Sequence, residues 1–174
     1  MIKANITSGE TNMKRLICAL ILACLIVSYA PAQAQDDPAV IGWLSIPSIW
    51  SYAKPISFTA VTNGDYDLTQ LGDDITHLGG TTWITDDWGR TVIAGHNPGA
   101  FSRIGEIVAG DLIEIHAVID RQLVSVTYQV SGVYPGVAIE DTSWLTPTDD
   151  PRLILIACWD NERSRIVIEA VRSG

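Results

Sequence analysis

The clearest pattern in the chain is alternation of apolar and polar residues. From Leu123 to Val130 the sequence reads LVSVTYQV. Successive side chains of a strand point to opposite sides, so Val124, Val126, Tyr128 and Val130 share one face and Ser125, Thr127 and Gln129 the other. Asp111 to His116 (DLIEIH) alternates in the same way, with Glu114 and His116 on its polar face. Leu153 to Ala157 is apolar throughout, the pattern of a strand covered on both faces. RTVIAGH, ending at His96, and RIVIEAV, beginning at Arg165, read as two more strands. Turn-forming clusters separate these runs: Asn63-Gly64-Asp65, Gly79-Gly80, Asp86 to Gly89, Asn97-Pro98-Gly99, Asp120-Arg121 and Pro147 to Pro151. Many short strands at this spacing predict an all-β barrel or sandwich. One or two helical turns are predicted around Leu68–Leu78 and Phe101–Ile107. Neither a long amphipathic helix nor a β-α alternation is present.

The N-terminal region has a different pattern. Lys14-Arg15 precedes fifteen uncharged residues, Leu16 to Ala30, and Ala32-Gln33-Ala34 supplies a small-x-small site. That is the layout of an export signal, too short for a spanning helix, with the cut expected before Gln35. Met13 stands just before the basic pair, so residues 1–12 read as an upstream extension. The alternatives are an uncleaved anchor, which would associate the protein with a membrane through this segment, and a lipoprotein signal ending at Cys24, for which Leu22 is a poor match. Residues 35–39 read as a short lead-in and residues 40–174 as one domain, enough chain for a proper core. Beyond residue 34 the chain keeps 8 of its 11 basic residues and 19 of its 20 acidic ones, a net charge of −11, with Lys54 the one lysine left. So acidic a surface repels nucleic acid and anionic lipid, so no nucleic-acid partner is expected.

Of the three cysteines, Cys18 and Cys24 fall in the export signal, leaving Cys158 without a disulfide partner. An unpaired thiol in an exported protein needs another reason to exist. Cys158 ends the apolar run RLILIAC, just before the polar stretch 159–164, and strand ends project side chains into clefts. His96 ends RTVIAGH and follows Gly95, where backbones can approach closely. Arg165 lies seven residues after Cys158, close enough across a tight connection to sit beside it. Such a set can supply a nucleophile, an acid/base and an oxyanion clamp. The competitors are His116, read as a solvated partner of Glu114, His77, read as bonded in a turn, and Arg163, read as a mobile loop residue. No cysteine pair or HxxxH spacing indicates a metal. The acidic pairs Asp73-Asp74, Asp86-Asp87, Glu140-Asp141 and Asp149-Asp150 match no calcium loop, so no cofactor is expected, calcium being the one alternative.

The order of these signals resembles the sortase family, cysteine transpeptidases of the bacterial surface. IGWLSIPSI at 41–49 looks like the family's first strand, and HLGGTTWITDDWGRTVIAGHN at 77–97 like the segment leading to the catalytic histidine. VYPGVAIEDTSWLTPTDDPRLILIACW looks like the stretch ending in the nucleophile, and RIVIEAV like the last strand. The resemblance implies a closed sortase-like β-barrel of about eight strands with one or two short helices. It assigns Cys158 as nucleophile, His96 as general acid/base and Arg165 as oxyanion or substrate stabiliser. Ala157, Trp159 and Asn97 are the expected substrate contacts. The implied reaction cleaves a C-terminal sorting peptide of a surface protein and passes the acyl group, through a thioacyl-enzyme, to an amine of the cell envelope or another protein. The implied location is secreted or at the cell surface, extracytoplasmic. A secreted sortase-fold cysteine hydrolase and a non-catalytic β-barrel binding module are the alternatives. One departure stands out. The family's Thr-Leu-x-Thr-Cys is here Ile154, Leu155, Ile156, Ala157 and Cys158, so both threonines are missing. The one before the cysteine helps shape the substrate site in many relatives.

Overall fold

In a computed structural model, which describes residues 39–69 and 71–173, eight strands close into a barrel. The expected export signal at residues 1–34 lies outside the described residues. The strands are β1 (Gly42–Ile46), β2 (Ser51–Thr59), β3 (Ile75–Leu78), β4 (Arg90–Gly95), β5 (Leu112–Ile119), β6 (Gln122–Val137), β7 (Arg152–Trp159) and β8 (Ser164–Arg172). Around the barrel they run β1-β2-β3-β4-β7-β8-β6-β5, with β5 closing back on β1. Most neighbours are antiparallel, but β2–β3 and β4–β7 are parallel. A parallel pair needs a long crossover. The first is the loop of residues 60–74; the second contains β5 and β6.

The alternation predicted for β5 and β6 is the alternation observed. Ile113, Ile115, Val126, Tyr128 and Val130 fill the interior, each 3% exposed or less. They meet Leu153 and Leu155 of β7 and Ile166 and Ile168 of β8 in one core. β6 runs for sixteen residues because two irregularities, at Val130/Gly132 and Pro135/Val137, let it bend along β8. Pro135 lacks the N–H that a regular ladder would use, and the second irregularity falls beside it.

A second apolar layer lies outside the barrel. Leu78, Val92, Ala94, Ile154 and Val167 form it on β3, β4, β7 and β8, and Leu68, Trp144 and Leu145 of two loops pack over it. This layer explains why β7 is apolar on both faces. It also fixes the outside of the sheet. In β8 the order Arg165, Val167, Glu169 faces outward, while Ile166, Ile168 and Ala170, all 1% exposed or less, face in.

The two expected helical regions fare differently. Phe101–Ile107 contains one short 3-10 turn, Ile104–Glu106. Leu68–Leu78 is not helical among its described residues: Leu71 N–H on Leu68 O and Asp74 N–H on Leu71 O close tight turns, and residues 75–78 are β3. Gly72 adopts the left-handed backbone, φ 57°, that ends any helical run, and β-branched Ile75 and Thr76 then pair between β2 and β4.

Candidate active site

The β7–β8 hairpin sets the first two residues. A four-residue turn, 160–163, joins the strands and makes Cys158 and Arg165 direct cross-strand partners. Asp160, Asn161 and Glu162 in that turn all have positive φ, 49°, 53° and 67°. Because Arg165 faces outward with Val167, Cys158 faces outward too. The Arg165 Nη1–H donates to Cys158 Sγ at 3.6 Å. A guanidinium held there favours negative charge on the sulfur or on an oxygen forming above it. Arg163 is exposed in the turn.

The parallel pair β4–β7 sets the histidine. Gly95 lies opposite Ala157 in register. Neighbouring strands run about 5 Å apart, so one residue further brings His96 beside Cys158, on the outer face with Ala94. His96 Nε2 lies 3.2 Å from the Leu68 carbonyl oxygen. A carbonyl only accepts, so Nε2 carries the proton and Nδ1 is left for exchange. Leu68, in the loop that was expected to be helical, thus orients the imidazole. Nothing in the sequence pointed to it, because the contact is made by a backbone carbonyl 28 positions away. Asn97 Nδ2 donates to the Cys158 carbonyl at 3.0 Å. It pins the backbone of the thiol-bearing residue.

Two cavities lie at the β7–β8 hairpin, one lined by Cys158 and the other by Arg165. One, of about 230 Å³, lies over the outer apolar layer; Ala94, Ile156 and Val167 lie in its floor, Tyr66 and Leu145 in its walls, and Arg165 lines it as well. Another, of about 330 Å³, wraps the turn side of Cys158 and is lined by Asn97, Pro98, Trp159, Asp160, Asn161 and Glu162. The first is mainly apolar, the second polar.

The expected substrate contacts separate here. Ala157 points into the barrel core, 2% exposed, and lines neither cavity. Strand parity requires it, since its neighbour Cys158 faces out. The side chain at this position therefore does not shape the groove; Ile156 does. Trp159 packs its indole over Gly105, where a Cβ would lie 2.6 Å from the ring, and only borders the polar cavity. Asn97 borders that cavity as well as bonding the Cys158 carbonyl.

His116 is three strands away around the barrel. Its ring pairs with Ser125 Oγ at 2.8 Å and Glu114 at 3.6 Å, as the polar face of β5 suggested. His77 is 1% exposed, with Nε2–H on the Thr82 carbonyl at 2.9 Å and its ring against Phe58 and Trp83. Burial holds its pKa below the usual histidine value, only partly countered by that hydrogen bond. Among the described residues, no group of three or more His, Cys, Asp or Glu side chains is placed to hold a metal ion. No helix among them is long and apolar enough to cross a membrane.

Comparison with known proteins follows the same lines. A family model described as the sortase domain matches residues 44–173. A lid mutant of sortase A from Corynebacterium diphtheriae superposes with a TM-score of 0.65 at 25% identity, over 82% of this chain and 74% of that one. A sortase D5 transpeptidase from Clostridium perfringens gives 0.65 at 20% identity, over 80% and 84%. Sortase C from Clostridium perfringens SM101 gives 0.62 at 20% identity, over 97% and 93%. The last two likenesses are of fold. No curated protein sequence matches the chain. With the family model spanning most of the chain and the barrel matching sortases of several classes, the chain belongs to the sortase family.

Proposed function

We propose that this chain is a cysteine transpeptidase that cleaves a sorting peptide of a surface protein and transfers the acyl part to an amine. The observation that carries the reading is the Arg165–Cys158 contact, 3.6 Å between directly paired residues where an apolar groove begins. The peptide lies in that groove with its scissile carbonyl over Sγ. His96 Nδ1 takes the proton of the Cys158 thiol, the thiolate attacks, and Arg165 donates to the oxyanion that forms. His96 protonates the leaving amine from Nδ1, its ring held by the Leu68 carbonyl, and a thioester remains on Cys158. An incoming amine then attacks the thioester, His96 takes its proton at Nδ1, Cys158 leaves as the thiolate, and His96 returns the proton to restore the thiol. The polar cavity at the β7–β8 turn gives that amine a wet approach from the other side of the sulfur. This reading places the protein at the bacterial surface or outside the cell, with a surface protein and an amine donor as its partners.

Intact-mass spectrometry tests it. Incubated with a library of peptides, the protein should gain the mass of an acyl fragment, and Cys158→Ala should not. Added hydroxylamine or a small primary amine should intercept the thioester, so that the hydroxamate or the amide appears in place of the free acid. Release of free acid alone at saturating amine would mark a hydrolase, and no acylation of the thiol would return the barrel to a binding role.

A further inference from the structure

Two carboxylates stand on the walls of the apolar groove. Asp65 comes from the loop between β2 and β3, and Asp141 from the loop between β6 and β7. The two loops border the groove independently. Each carboxylate accepts a backbone hydrogen bond from its own loop: Asp65 Oδ1 from Tyr66 N–H at 2.8 Å, and Asp141 Oδ1 from Ser143 N–H at 2.9 Å. These bonds fix the carboxylates in place. The Ser143 hydroxyl and then its N–H hold the Asp141 carboxyl below the usual carboxylate range. Among the described residues neither is ion-paired: Arg152 is taken by Asp150 and Glu169, and Arg103 by Glu106. Arg165 is the one cation lining the cavity, and its guanidinium is turned to the sulfur.

The groove therefore has three chemical parts: a cation at the thiol, an aliphatic floor, and two carboxylates from two different loops, neither ion-paired among the described residues. A peptide with an aliphatic side chain alone satisfies only the first two. Resting on the reading of this groove as the peptide site, we infer that the preferred peptide carries a lysine or arginine placed to reach the Asp65 and Asp141 carboxylates that line it. An acidic side chain there meets two like charges and is rejected, a repulsion that sharpens specificity as much as the attraction does. The long stem of Lys or Arg also suits the site, since it covers apolar floor while its head reaches the carboxylates.

The test is a positional-scanning library of internally quenched nonapeptides, read by turnover with the full chain and by retention on immobilised Cys158→Ala. At one position the Lys and Arg pools should exceed the Gln pool by about fourfold to twentyfold, at roughly twofold to fivefold per partly exposed ion pair. The Glu pool should fall below Gln. Asp65→Asn and Asp141→Asn should each remove part of the preference and the double variant all of it. Asn keeps the oxygen that accepts the loop N–H, so these changes remove charge while leaving the loop bonds in place. Raising the salt to 0.5 M should compress the preference. Equal signals for Lys, Gln and Glu at every position overturn the inference, as does a preference that survives the double variant. Retention is read without turnover, so a protein that holds basic peptides yet never acylates fails the proposed reaction and keeps this selectivity. One that cleaves without regard to charge does the reverse.

Discussion

Gly95→Ala is the sharpest test of how the site is assembled. Gly95 is the last residue of β4, directly before His96, and its missing side chain points into the barrel. A Cβ added there would lie 2.7 Å from Phe101 Cδ2, 2.9 Å from Phe101 Cε2 and 2.9 Å from Ile75 Cγ2. Carbon atoms prefer separations of about 3.5–4.0 Å, so each contact is short by at least about 0.6 Å. Phe101 is 1% exposed and Ile75 not at all, so neither can swing toward solvent. Overpacking of this kind costs about 1–3 kcal/mol. Replacing glycine in a strand returns about 0.5–1 kcal/mol of backbone entropy. At the middle of both ranges the net loss is about 1 kcal/mol. For a domain of this size that is roughly 3–5 °C in melting temperature. Urea denaturation should show the midpoint falling with the slope unchanged. The clash has one main partner, so Phe101→Leu should rescue it: the double variant should lose about 1 kcal/mol less than the two single losses added. The peptide reaction should suffer as well, because any displacement of the end of β4 moves His96 off the Leu68 carbonyl. A Gly95→Ala protein as stable as the parent, or strictly additive losses with Phe101→Leu, would refute the packing argument.

Three further outcomes are expected. Arg165→Lys should lower kcat/KM by about 10²–10³-fold with the melting curve intact, because lysine lacks the planar fork, while Arg163→Ala in the exposed turn should be close to neutral; peptide kinetics with the reverse ranking would move the oxyanion role and the strand register with it. His77, buried and held below its ordinary pKa, binds its proton more readily unfolded than folded, so its share of stability is complete above pH about 6.5 and declines as pH falls from there toward its folded value; His77→Gln, which keeps a donor for the Thr82 carbonyl, should flatten the fall in urea stability between pH 7.5 and 5, and an unchanged slope would assign it to other groups. The two-residue turn between β5 and β6 holds Asp120 and Arg121 at φ 49° and 65°; Arg121→Gly should raise stability by about 1 kcal/mol in the same assay, since only glycine takes that conformation without penalty.

The parts of this protein that could be read from its sequence are those whose determinants are local. β5 and β6 declare themselves because Ile113, Ile115, Val126 and Tyr128 alternate with polar residues, and the seven-residue separation of Cys158 and Arg165 contains their pairing because a four-residue turn leaves no other simple register. The approach of His96 to the thiol is different in kind. It depends on β4 lying parallel to β7 with two whole strands between them in sequence, and no pattern within either strand encodes that neighbour; only the resemblance to a family supplied it. The loop before β3 was misread for a related reason. Its turns and its carbonyl contact with His96 are fixed by what packs around it rather than by its own periodicity.

Ala157 is the instructive case, because its inward direction was within reach. β7 is apolar on both faces and so carries no mark of which side is outside. β8 does carry one: Arg165 and Glu169 alternate with Ile166, Ile168 and Ala170, and their polar side must be the outer side. The hairpin register transfers that parity to β7, pairing Arg165 with Cys158 and Ile166 with Ala157. Read in that order, the residue before the cysteine belongs to the core, and the side chain that lines the groove is the one two positions before the cysteine, Ile156. The absent threonine at position 157 thus changes how the barrel interior is filled beneath the thiol. The character of the groove itself rests on Ile156, Ala94 and Val167 and on the two carboxylates, Asp65 and Asp141, that line it with them.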